Sequence, residues 1–208
     1  MRLREELFLL GHDKAGKTVV HPHSLDLGVA GALLAEQALA GRILVSGGHL
    51  AVTDPSATGD PEVDRLLDAI LRAPAAPPLG GVLTEIRVGA AERVRAELIA
   101  DGVVAELTHR RLGLLSVTRY PADEAVVRKI SVGLWYAAHG KEQPDDPTAT
   151  LCALVHAVLL HEHVFTNMPM TGLDARMREI RDRSPVPVRE IAGAVSSLVA
   201  SRAVAIYR

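Results

Sequence analysis

Aromatic rings make up only 3% of this 208-residue sequence, and it holds a single cysteine. Its core must therefore be built from Leu, Val, Ala and Ile, which is feasible because apolar residues amount to 48%. One cysteine excludes a disulfide framework and fits a reducing compartment. Cys152 sits in an apolar run with no cationic neighbour, so nothing marks it as a nucleophile. An excess of charge is also missing: 23 basic against 25 acidic residues give a formal −2. No global field therefore draws the chain to nucleic acid or to an anionic membrane, and any such binding must come from a local patch. Arg supplies 19 of the 23 cations, which suits bidentate pairing with phosphate or carboxylate. No apolar run reaches the ~20 residues of a membrane span. The opening MRLREELFLLGHD is too short in apolar residues for a signal-peptide core. These absences lead us to expect a soluble, intracellular protein, with residues 1–208 as one domain.

Apolar spacing at Leu3, Leu7 and Leu10 predicts a short amphipathic helix that Gly11 ends. Ser24 is a plausible N-cap for a helix over Leu25–Ala40, stopped by Gly41. Only Asp26, Glu36 and Gln37 are polar within it, so it reads as the core helix, with Gly28, Gly31, Ala32 and Ala35 as a small-residue face. Ile43–Ser46 and Leu50–Thr53 flank Gly47-Gly48 as a hairpin. Asp60 with Pro61 opens another helix, and APAAPPLGG reads as a linker. One helix is expected over Leu83–Ala100. A second hairpin comes next, from Val103–Leu107 and Leu112–Thr118, with Arg110 and Arg111 at its tip. Helices are then expected from Pro121 to about Gly140, Thr150–Phe165, Met170–Arg183 with Asp174/Arg178 and Glu179/Arg183 pairs, and Val188 to about Ala203. The fold class is mainly α: a helical domain around a central hydrophobic helix, with short β-hairpins.

Three motifs suggest chemistry, each with a plainer reading. Gly11–Thr18 matches G-x-x-x-x-G-K-T, with Lys17 as the phosphate-loop lysine. A phosphate loop needs a buried strand before it and a helix directly after it. Here a helix-like segment precedes it, and Pro22 bars a helix from starting directly after Thr18, so a plain turn is expected and nucleotide binding is the lesser alternative. His156, His161 and His163 share the predicted Thr150–Phe165 helix, but none has the i,i+4 spacing of a zinc signature, so no metal site is assigned. The helix, glycine and hairpin between Ala91 and Thr118 resemble the tail of a winged helix, but the preceding helix carries Glu92 and Asp101, and no nucleic-acid partner is expected. No nucleophile–histidine–carboxylate or paired-carboxylate arrangement stands out, so the chain is not expected to be an enzyme, and no cofactor is called for.

Taken in order, several segments resemble the Golgi phosphoprotein 3 family. They are L-x-E-E-L-x-L-L-G at Leu3–Gly11, Gly28-x-x-Gly31, and L-x-E-x-A-L-x-G-R-I at Leu34–Ile43. ATGDPEVDRLLDAI from Ala57, L-I-A-D-G-V-V before the second hairpin, and the restart at Pro121 complete the set. The similarity spans nearly the whole chain. It implies one mainly helical domain with a protruding β-hairpin, a peripheral membrane protein on a cytosolic face whose eukaryotic relatives bind phosphatidylinositol 4-phosphate at the Golgi. In eukaryotic members it also implies an adaptor that retains glycosyltransferases. The family places a Trp just before the central helix, an Arg in its first turns, and two Arg in the helix before the hairpin. Here those positions are His21, Ala30, Val88 and Ala91, all four replaced, with Arg87 one step away. The lipid-headgroup candidates are therefore His21, Ala30, Arg87, Val88 and Ala91. The hairpin candidates for membrane contact or self-association are Arg110, Arg111, Leu112, Leu114 and Leu115. An Arg-rich, Lys-poor composition with much Ala and Val fits a bacterial member. A protein-interaction scaffold without lipid recognition is the alternative.

Overall fold

A computed structural model describes residues 1–73, 75–111, 115–166 and 169–206. Among them, ten helices surround one apolar core, and two antiparallel hairpins are the only sheets. The expected mainly α class holds.

The central element is α2 (Pro22–Leu39). Leu25, Leu27, Val29, Ala30 and Ala32–Ala35 are all buried in it. It packs against α1 (Leu3–Leu10), α5 (Ala90–Ala100), α7 (Asp146–Ala157) and α10 (Val186–Ile206). Its glycines set that closeness. A Cβ on Gly31 would stand 2.8 Å from Val195 Cγ2 and 3.2 Å from Leu154 Cδ2, and one on Gly28 would stand 2.7 Å from Leu7 Cδ2. The helix starts three residues earlier than Ser24 suggests. Pro22 takes the first helical position, where its missing N–H costs nothing, and His21 is the N-cap.

The first hairpin pairs β1 (Ile43–Ser46) with β2 (His49–Val52) across Gly47 and Gly48. Both glycines have positive φ, 58° and 75°, as a two-residue primed turn requires. Their amides donate to the Glu190 carboxylate at 3.2 and 2.6 Å, which ties the hairpin to α10. α3 (Pro61–Arg72) starts as expected, with the Asp60 carboxylate accepting from the Glu62 and Val63 amides.

Other boundaries also differ from those expected. Leu83–Ala100 is not one helix. α4 (Leu79–Ile86) takes the end of the supposed linker as its first turn, and α5 restarts after Gly89, whose φ of 68° breaks the run. The second hairpin pairs β3 (Leu107–Arg111) with β4 (Leu115–Arg119), so Arg110 and Arg111 belong to a strand, in register with Ser116 and Leu115. α6 spans Glu124–Ala138, opened by the Asp123 carboxylate. Thr150–Phe165 is not one helix either. α7 ends at Ala157, and α8 (His161–Val164) begins after Leu159, which has φ 64°. Leu159 N–H donates to His156 O and Leu160 N–H to Val155 O, the helix-ending motif in which glycine normally takes the left-handed place. α9 covers Met170–Arg183 as expected.

A charged network closes the core from one side. The Arg4 side chain is 1% exposed and pairs with Glu36 of α2 and Asp60 at the head of α3. Arg2 adds Asp60 at 2.9 Å and Glu97 of α5 at 2.7 Å. Burial pushes the Glu36 carboxyl above its usual range despite Arg4. Burial acts the same way on Asp60, but Arg4 and the α3 amides outweigh it and hold that carboxyl low. Glu36 and Asp60 belong to two separate segments that carry the family resemblance. A third such residue, Arg42, reaches the Asp54 and Ser56 carbonyls. These segments are recognisable because they staple elements together.

Candidate functional site

The five headgroup candidates lie on α2 and at the α4–α5 junction, two regions that α2 brings into contact. The structure does not treat them alike. His21 is exposed at the N-cap of α2, and its Nδ1 accepts from the His23 amide at 3.2 Å. Ala30 is 1% exposed and packs inside the core, where it reaches no ligand. Arg87 is half-buried as the C-cap of α4, and Val88 beside it is 64% exposed. Ala91, in the first turn of α5, donates its amide to Asp26 Oδ1 at 2.9 Å.

Asp26 is the residue that sequence reasoning missed. It was visible as one of three polar residues between Leu25 and Ala40, but nothing in its spacing points to the start of α5. Its carboxylate now fills the place where a helix N-terminus favours an anion. Burial pushes the Asp26 carboxyl above its ordinary value, opposed by the Ala91 amide, Arg87 and Arg93. Arg93 has its own duties. It donates to Ile86 O at 3.0 Å, to Val88 O at 2.5 Å and to Glu62 Oε2 at 2.6 Å, which closes the end of α4 onto α3.

The second candidate region is the β3–β4 hairpin. Arg110, Arg111 and Leu115 hold the distal end of its ladder, while Leu112 and Leu114 lie outside the described residues. At the near end, Arg95 of α5 stacks over Tyr120, its guanidinium 4.3 Å from the ring centroid.

The turn at Gly11–Thr18 binds itself. Ala15 and Lys17 amides both donate to Asp13 Oδ1, at 2.9 and 2.8 Å, which are the donors a phosphate would need. Gly16 (φ 73°) presses on the hairpin base, where a Cβ would lie 2.3 Å from the Tyr120 carbonyl carbon. Helix α2 begins only at Pro22. The motif is a turn that closes onto a neighbouring strand end.

Cys152 is fully buried, and burial pushes its thiol up to about 12, which leaves no thiolate at neutral pH. Three groups with metal-ligand atoms do converge: His156, His161 and Asp174, one atom of each lying within 4.8 Å of the others. Sequence spacing hides this, because Asp174 comes from α9 and the turn at Leu159 folds His161 back onto His156.

Fold and sites together define a mainly helical protein, a ring of helices around one buried helix, that presents a mixed apolar and cationic junction. No helix among the described residues is long and apolar enough to cross a membrane. The family model of Golgi phosphoprotein 3 (GPP34) matches residues 3–200, and the chain belongs to that family. A comparison with curated proteins finds no match.

Proposed function

We propose that the chain is a non-enzymatic peripheral membrane module that binds anionic phospholipid headgroups of the phosphoinositide kind. It would use His21, the Arg87–Val88 junction and the Arg110/Arg111 end of the hairpin. The carrying observation is the α4–α5 junction. There an exposed valine stands beside a half-buried arginine and the first turn of a helix, the apolar-plus-cationic pairing that suits a headgroup region. Family membership over nearly the whole chain supports the same reading. Ala30 is sealed in the core and the Ala91 amide is taken by Asp26, so the headgroup contacts fall to Arg87 and the hairpin. Self-association through the hairpin belongs to this reading.

Sedimentation with vesicles tests it. Phosphatidylcholine vesicles doped with phosphatidylinositol 4-phosphate or with phosphatidylserine should carry the protein down, less so as salt rises. R110A/R111A should weaken binding several-fold. Asp26→Asn should strengthen it, since the anion that now occupies the Ala91 amide loses its charge. A protein that stays in the supernatant with every acidic vesicle sinks the proposal.

A second reading has its own observation. Asp26 already satisfies the α5 amide, and Ala30 is sealed in the core, as suits a protein-interaction scaffold that has left lipid recognition behind. In that case partners captured by the chain would be indifferent to lipid. Deleting residues 109–116 would release them.

A further inference from the structure

His156 closes the last turn of α7, His161 opens α8, and Asp174 lies in the second turn of α9. Asp174 Oδ1 stands 3.4 Å from His156 Nε2 and 3.2 Å from His161 Nε2. The two imidazole rings are 4.7 Å apart between centroids, tilted by 50°. Two donors bound to one tetrahedral zinc at about 2.0–2.1 Å must themselves be about 3.3 Å apart. Both nitrogen–oxygen separations meet that requirement before any ion is added.

We propose that His156, His161 and Asp174 form a three-ligand site for a divalent transition-metal ion, with zinc as its best fit. The donor set selects the ion class. Two imidazole nitrogens and one carboxylate oxygen suit zinc, cobalt or nickel, whereas magnesium and calcium require oxygen cages. Among the described residues the carboxylate pairs only with these two imidazoles. Arg178, four residues on, spends its Nε on the Asp174 carbonyl at 3.2 Å instead of pairing with the side chain. His161 is 2% exposed, and its buried Nδ1 has no hydrogen-bond partner among the described residues, where the ring's polar contacts run through this cluster. On the opposite side the Asp174 side chain is 43% exposed, which leaves an approach for the ion and a fourth position for water. The site would clamp α7, α8 and α9, on elements that play no part in the proposed lipid face.

The test uses the full-length chain without an affinity tag, stripped with chelator and titrated with zinc by calorimetry. One zinc per chain is expected, with a rise in melting temperature on addition. Cobalt should give the intense visible absorption of a tetrahedral site. Asp174→Asn, nearly isosteric and at a half-exposed position, should weaken zinc binding at least tenfold, and His156→Gln should do the same. Circular dichroism confirms that both variants fold. Absence of zinc binding by the wild-type chain overturns the proposal. So does zinc binding of equal strength in both variants, which would assign the ion to other histidines.

Discussion

Arg4 is the residue on which most depends. Its guanidinium has almost no contact with solvent and meets two carboxylates, Glu36 and Asp60, from two different helices. Removing one member of such a group leaves buried charge without compensation, which costs about 3–5 kcal/mol. Arg4→Ala should therefore lower the free energy of unfolding by about that amount, read from urea titrations followed by the fluorescence of Trp135, the sole tryptophan. A loss under about 1 kcal/mol would mean that the network is an ordinary surface contact. Asp26 is the contrasting case. One carboxylate on the central helix decides whether the first turn of α5 is open to an outside anion or already occupied.

Among the elements, the turn between α7 and α8 carries the clearest local strain. Leu159 is the only non-glycine residue with positive φ among those described, and it is 52% exposed, so its side chain contributes little packing. A left-handed conformation costs an L-residue about 1–2 kcal/mol, partly offset by the flexibility of a glycine in the unfolded chain. Leu159→Gly should raise stability by about 0.5–1 kcal/mol, visible as a higher urea midpoint. A lower midpoint would show that the leucine side chain holds α8 in place. The central helix poses the opposite demand. Gly28 and Gly31 are needed because neighbouring side chains already fill the volume a methyl would take.

Acid stability is set across the molecule as a whole. Burial pushes the imidazoles of His12 and His156 below their ordinary value. A histidine with a depressed folded pKa contributes stability above the unfolded value, about 6.5, and loses it as pH falls from there toward the folded value. Asp60, held low, adds stability that is present above about 4 and is lost in stronger acid. Glu36, Asp26 and Glu6 are raised by burial and act in the reverse sense, easing the descent near the carboxylate range. Unfolding free energy should thus fall as pH drops below about 6.5, flatten, and fall again below about pH 4. His12→Asn should reduce the first decline and Asp60→Asn the second. A profile that is flat from pH 7 to 3 in the wild type would contradict both assignments.

Much of the architecture was legible in the chain. Near-absence of polar residues from Leu25 to Leu39 marks the core helix, because a helix that is apolar all round must be buried. Asp60-Pro61 marks a helix start and Gly47-Gly48 a hairpin, because those residues suit the required φ, ψ and missing donors. The segments that carry the family resemblance are tied to the fold: Glu36 and Asp60 both pair with Arg4 of α1, and Arg42 holds the Asp54 and Ser56 carbonyls. What local pattern could not carry was everything made by contact between distant segments. The break at Gly89 was hidden in a run of helix-forming residues. The Asp26 carboxylate reaches Ala91, 65 residues away, and Asp174 reaches two histidines across a left-handed leucine. Periodicity reports which face of an element turns inward, while the partner on the other side is chosen only when helices pack. The sequence by itself therefore determined the helical frame and its buried axis. Only the tertiary structure decided which charges meet, and with them where the proposed anion and metal sites lie.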